Sequence, residues 1–128
     1  MSKFYVNPGL VMHEMGIAME IIKIVTDSIP KHLKNPKVEK INLKVGKLAA
    51  VVPESLRFCF EVVSQNTPAE GALLHIEEIP VNAMCQSCSY SWTAIEPVFI
   101  CEKCNSGSVD LLTGRELDIV SIEVEEDG

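Results

Sequence analysis

Two C-x-x-C pairs, Cys85-x2-Cys88 and Cys101-x2-Cys104, are separated by twelve residues and constrain the fold more than any other feature of the chain. Each pair presents two thiolates from one tight knuckle. Two knuckles facing one another make a tetrahedral set of four sulfurs, the donor set that zinc prefers. A thioredoxin-type dithiol needs one pair opening a helix in a βαβ frame, and that frame is missing around both pairs. A catalytic zinc keeps an open position and usually three protein ligands, whereas four cysteines close the coordination sphere. The reading is therefore a structural zinc held by Cys85, Cys88, Cys101 and Cys104. Residues 82–112, which carry both pairs and the only Trp, have little apolar periodicity, so metal binding would supply folding free energy to them. The fifth cysteine, Cys59, falls in the apolar stripe of a helix and reads as a small buried hydrophobe.

The formal net charge of −7 has the wrong sign for a protein that coats nucleic acid, whose phosphates demand Lys and Arg. Within 82–112 the one basic side chain is Lys103, set against Glu96, Glu102 and Asp110. Tyr90, Trp92 and Phe99 are expected to pack the ribbon or a partner surface, since stacked bases need a basic groove. No apolar run approaches the roughly 20 residues of a membrane span. The opening MSKFYVNPGL has one Lys, no long apolar stretch and a Pro-Gly break, which does not describe a signal peptide. With cysteines spaced for metal rather than disulfides, the expected compartment is the cytoplasm.

Periodicity supplies the rest of the architecture. Residues 10–29 are helical in period: Val11, Met15, Ala18, Ile22, Val25 and Ile29 share a face that Ile17, Ile21 and Ile24 widen, opposite Gly16, Glu20, Lys23 and Asp27. Residues 38–46 alternate as a half-buried strand. Pro53 suits the first turn of a second helix, with Leu56, Cys59, Phe60 and Val63 inward. Strands follow at 72–79 and 115–125, the latter changing phase near Ile119-Val120 as a bulge would. The expected fold is α+β: two helices on a small three-stranded sheet with an inserted four-cysteine zinc ribbon. The expected parts are a leader, 1–11, then a nickel-binding α/β domain of 12–81 and 113–128, with 82–112 as the inserted ribbon.

The nickel in that division comes from a resemblance. Met12-His13-Glu14 opens MHEMGIA at 12–18; VGKLAAVVPESLRFCFE follows at 45–61, then both C-x-x-C pairs, then GRELDIVSIEVE at 114–125. In this order the stretches resemble the HypA/HybF family of nickel metallochaperones, which serve [NiFe]-hydrogenase maturation. The resemblance covers Met12 to about Glu125. It implies an α/β nickel domain with a zinc ribbon, and Ni(II) bound at Met12, His13 and Glu14 through the imidazole, backbone nitrogens and a terminal amine. Nitrogen-rich donors of this kind suit square-planar Ni(II). As partners it implies the GTPase HypB, the hydrogenase large-subunit precursor and, in some members, urease maturation proteins. It implies no enzymatic activity; no phosphate loop of the G-x-x-x-x-G-K-[ST] type occurs in the chain.

This sequence departs from the family in two places. The nitrogen of Met12 lies in a peptide bond with Val11, so a donor that the family uses is missing. Two local conformations are open there: Asn7-Pro8 as the start of a helix running through His13, or Asn7-Pro8-Gly9 as a turn with the helix starting near Met12. The second knuckle reads Cys101-Glu102-Lys103-Cys104 where the family often has proline after the first cysteine. From the residues alone, an acidic zinc-ribbon adaptor without transported metal, or a nucleic-acid-binding ribbon, stands as the alternative. His32, in a loop, and His75, on a strand, are weaker ligand candidates than His13.

Overall fold

The computed structural model describes residues 8–96 and 98–126, with side chains from His13 onward. Helix α1 runs Pro8–Ser28. Pro8 is acceptable at its first position because the amide proline lacks has no partner in a first turn; Asn7 lies outside the described residues. The buried stripe of α1 is Glu14, Ala18, Ile21 and Val25, a spacing of four, three and four residues that keeps one helical face. Periodicity places Met15 and Ile22 at its centre, but both are only half-buried, and a carboxylate takes the position beside them.

Strand β1, Pro36–Gly46, buries Val38, Ile41, Leu43 and Val45. A single 3-10 turn at Lys47–Ala49 follows, and then helix α2, Pro53–Val63. Its buried residues are Leu56, Cys59 and Phe60, all in the expected stripe. The Ser64 amide donates to the Phe60 carbonyl at 2.9 Å and closes the helix. Helices α1 and α2 pack on one another. Strands β2, Leu73–Ile79, and β6, Leu117–Glu126, flank β1 in the order β2–β1–β6. In β6 the inward positions shift from Ile119 to Ile122 and Val124. Val120, beside the expected change of phase, is exposed.

A second sheet, unexpected from the sequence, is built from β3, Val81–Cys85, β4, Ser91–Ala94, and β5, Val109–Leu111. Its order is β4–β3–β5. Both neighbours run antiparallel to β3, with Ala83 opposite Trp92 on one side and Leu111 on the other. The chain forms two compact units, one from residues up to Leu43, Val51–His75 and Ile119 onward, the other from Lys44–Ala50 and Ile76–Asp118. In the second unit the backbones at Gly46 and Gly114 touch: the Gly46 amide donates to Glu116 O and the Leu48 amide to Gly114 O, each at 2.7 Å. No described helix is long and apolar enough to cross a membrane.

Candidate metal centre

The four cysteines converge. Their sulfurs all lie within 4.8 Å of one another. Cys85 Sγ is 3.5 Å from Cys104 Sγ, and Cys88 Sγ is 3.5 Å from Cys101 Sγ. A tetrahedral zinc with Zn–S near 2.3 Å spaces its sulfurs about 3.8 Å apart, so the donor set fits that ion without rearrangement of the chain. No cysteine of the four is in a disulfide.

The two knuckles repeat one local design. The Ser89 amide donates to the Cys85 carbonyl and the Asn105 amide to the Cys101 carbonyl, both at 2.9 Å. The Cys85 amide donates to Tyr90 O at 2.8 Å and the Cys101 amide to Ser106 O at 3.0 Å. Ser89 and Asn105 sit at φ 64° and φ 60°, the left-handed turn that sends each chain back past its own cysteine. Each knuckle therefore holds one buried sulfur, on Cys85 or Cys101, and one exposed, on Cys88 or Cys104. Between the knuckles, the Ser87 and Ser106 hydroxyls are hydrogen-bonded at 3.0 Å, and the Gln86 amide donates to Ser108 O at 2.8 Å.

The thiols differ in acidity. The Cys88 and Ser87 amides stabilise the Cys85 thiolate against the opposing effect of burial, and its pKa is lowered to about 6. The Ser106 amide acts the same way on Cys104, but Cys85, burial, Cys101 and Cys88 together push that thiol up to about 12. Cys88 is raised as well: the Tyr90 amide favours its thiolate, but Cys101, burial and Cys85 outweigh it. A dication held among the four sulfurs would favour every thiolate at once.

The ribbon's aromatic residues are partly used internally. Tyr90 and Trp92 stack with centroids 5.8 Å apart, and Lys103 Nζ lies 5.0 Å above the Tyr90 ring. The single cation of 82–112 is thus engaged on an aromatic face.

The Met12-His13-Glu14 segment lies inside α1. In a helix beginning at Pro8, the Met12 amide is the first with a carbonyl four residues behind it. The amides of Met12, His13 and Glu14 therefore fall within the hydrogen-bonded ladder, and the helix starts at Pro8 rather than near Met12. His13 is exposed, whereas Glu14 is fully buried, so helical geometry sends these two side chains in different directions. Met12's side chain is outside the described set. His32 and His75 are exposed, and neither joins a metal-capable group of three or more among the described residues. The serines that tie the knuckles together, and the burial of Glu14, were not found from the sequence. The four-three-four spacing from Glu14 to Val25 was the available signal for the second.

A short α+β chain whose four cysteines are pre-arranged for one tetrahedral ion defines a metal-site protein. The family described as "Hydrogenase/urease nickel incorporation, metallochaperone, hypA" matches residues 12–124. The chain is 56% identical over 115 residues to the hydrogenase maturation factor HypA of Desulfosudis oleivorans, a match covering 90% of this chain and 100% of that protein. It is 44% identical over 115 residues to the factor of the same name from Nostoc punctiforme, covering 90% and 97%. The chain belongs to the HypA family of nickel-incorporation metallochaperones for hydrogenase maturation. In fold it is similar to the solution structure of the Ni metallochaperone HypA from Helicobacter pylori, with a TM-score of 0.62 and 22% identity over 89% of this chain and 98% of that one. A second solution structure, of a HypA protein, gives 0.67 and 24% over 91% and 98%.

Proposed function

We propose that this chain is a cytoplasmic nickel carrier that binds one Ni(II) at Met12-His13-Glu14 and one zinc through Cys85, Cys88, Cys101 and Cys104. It delivers the nickel to the precursor of the [NiFe]-hydrogenase large subunit, with the GTPase HypB as its partner. The observation that carries this reading is His13: it stands at the start of the family match, 12–124, and its imidazole is exposed. Zinc in the ribbon supplies folding free energy and a fixed shape. With four thiolates around it, the ion has no position left for a substrate. Nickel is cargo. An exposed imidazole binds it where a partner can reach it, and protons compete with it for the same nitrogen. The chain's own part is to capture and present the ion.

The test is a nickel titration of zinc-loaded protein, wild type beside His13→Ala. Wild type is expected to take up one equivalent and the variant to lose it. Equal uptake by both would remove His13 from the site. No specific uptake by wild type would remove the carrier function.

A further inference from the structure

Strand β4, Ser91–Ala94, is an open edge of the second sheet. The order is β4–β3–β5, so β3 is its one neighbour among the described residues. The Cys85 amide donates to Tyr90 O at 2.8 Å, which makes residues 85 and 90 a hydrogen-bonded pair of the antiparallel ladder. Such pairs alternate along a ladder, so Ala83 with Trp92 and Val81 with Ala94 bond inward, and the amides and carbonyls of Ser91 and Thr93 point away from β3. The strand carries no Lys, Asp, Glu or Pro, the residues that commonly close an edge to a further strand.

A groove of about 360 Å³ lies on that open side. It is lined by Trp92, Ile95, Val98 and Ile100, with Glu96 and Glu102, and by no residue of β3. Its apolar members face water: Ile95 is 96% exposed, Val98 55% and Ile100 50%. Both carboxylates are exposed as well. No Lys or Arg lines the groove, and the neighbouring Lys103 is drawn over the Tyr90 ring. An unpaired backbone edge, an apolar floor and a one-sided negative charge therefore coincide on the ribbon.

We propose that β4 takes up an extended segment of a partner protein, apolar residues interspersed with Lys or Arg, as an added strand. The segment's backbone pairs with Ser91 and Thr93, which supplies affinity without regard to sequence. Its apolar side chains cover Ile95, Val98 and Ile100, and its cations meet Glu96 and Glu102, which supplies selectivity. A second copy of this chain fits less well, because it brings a further charge of −7 and a groove of the same sign. The inference goes beyond the nickel reading and does not depend on it, since no residue of the groove is among the proposed metal ligands.

The experiment titrates the zinc-loaded full chain with a short synthetic peptide that alternates Lys with Ile and Val and is blocked at both ends. Trp92 is the only Trp of the chain and lines the groove, so its emission reports occupancy. Amide exchange at Ser91 and Thr93 is read by NMR with and without peptide. Wild type is expected to bind saturably, with Trp92 emission shifted to the blue and exchange at both amides slowed about tenfold or more. Ile95→Lys, at a site too exposed to disturb the fold, is expected to bind about tenfold more weakly. Glu96→Gln is expected to bind about threefold more weakly, and Glu20→Gln, the same change of charge on α1, to bind as wild type does. A fully N-methylated form of the peptide, which cannot donate to a strand, is expected not to bind. No binding by wild type overturns the proposal. So does equal weakening in Glu96→Gln and Glu20→Gln, which marks a general attraction between a basic peptide and an acidic protein. Binding of the N-methylated peptide as tight as that of its parent also overturns it. Exchange at Ser91 and Thr93 that slows with protein concentration alone, alongside a doubled mass, gives the edge to a second copy and overturns it too.

Discussion

Gly46→Ala is expected to destabilise the protein although the backbone there is ordinary. Gly46 has φ −71° and ψ 147°, a conformation open to any residue, so the requirement is for space. A Cβ at this position would stand 2.1 Å from both the carbonyl carbon and oxygen of Gly114 and 2.5 Å from the Arg115 nitrogen. Carbon atoms in contact sit about 3.5–4.0 Å apart, so the two backbones must part by more than about 1 Å. Parting them breaks the two 2.7 Å bonds, from Gly46 to Glu116 and from Leu48 to Gly114. At about 0.5–1.5 kcal/mol each, and with about 1–3 kcal/mol for overpacking, the loss is about 2–6 kcal/mol. That is a large share of the roughly 5–15 kcal/mol by which a domain is stable. The assay is urea unfolding at a fixed zinc concentration, because zinc itself stabilises the folded state by mass action. With a slope of about 2 kcal/mol per M, the midpoint should fall by about 1–3 M while the slope stays unchanged. Gly16→Ala is the control: nothing lies within 4 Å of its added Cβ, and the exposed helical position should gain about 0.5–1 kcal/mol. Gly46→Ala within about 0.5 kcal/mol of wild type would refute the packing argument.

Other outcomes follow from the thiols and the core. With Cys104 held near 12 and Cys85 near 6, the first carries its proton at neutral pH and the second has largely lost it. Zinc must therefore displace protons, and its affinity must fall as pH is lowered. Calorimetry in buffers of different ionisation heat reads the proton number, and release of none contradicts the assignment. Leu56→Ala, at a fully buried site on α2, should cost about 2–5 kcal/mol. Phe58→Ala, two residues on and 61% exposed, should stay within about 0.5 kcal/mol; equal losses in a thermal melt would mean that α2 faces the other way.

Much of this was legible because spacing is geometry. The C-x-x-C pairs put two sulfurs on one turn, and the stripe Leu56, Cys59, Phe60 fixed the inward face of α2. The stretches VGK at 45–47 and GRE at 114–116, which carried part of the resemblance, meet at Gly46 and Gly114, a contact that no local periodicity can announce. The strands β3, β4 and β5 were missed because pieces of three to five residues give too few alternations to count. The position of Glu14 was missed for a different reason. Hydrophobic periodicity gives a carboxylate to the solvent face, and here the helix phase overrides that preference and buries Glu14 with Ala18, Ile21 and Val25.

The central claim is that this chain hands nickel on. Protein loaded with one radioactive nickel and one zinc should be mixed with the nickel-free large-subunit precursor and HypB in the presence of a chelator that scavenges free metal. The account predicts that label appears in the precursor, that the zinc stays behind, and that His13→Ala abolishes the transfer. Label that remains on the chain or drains to the chelator, with none reaching the precursor, would contradict it.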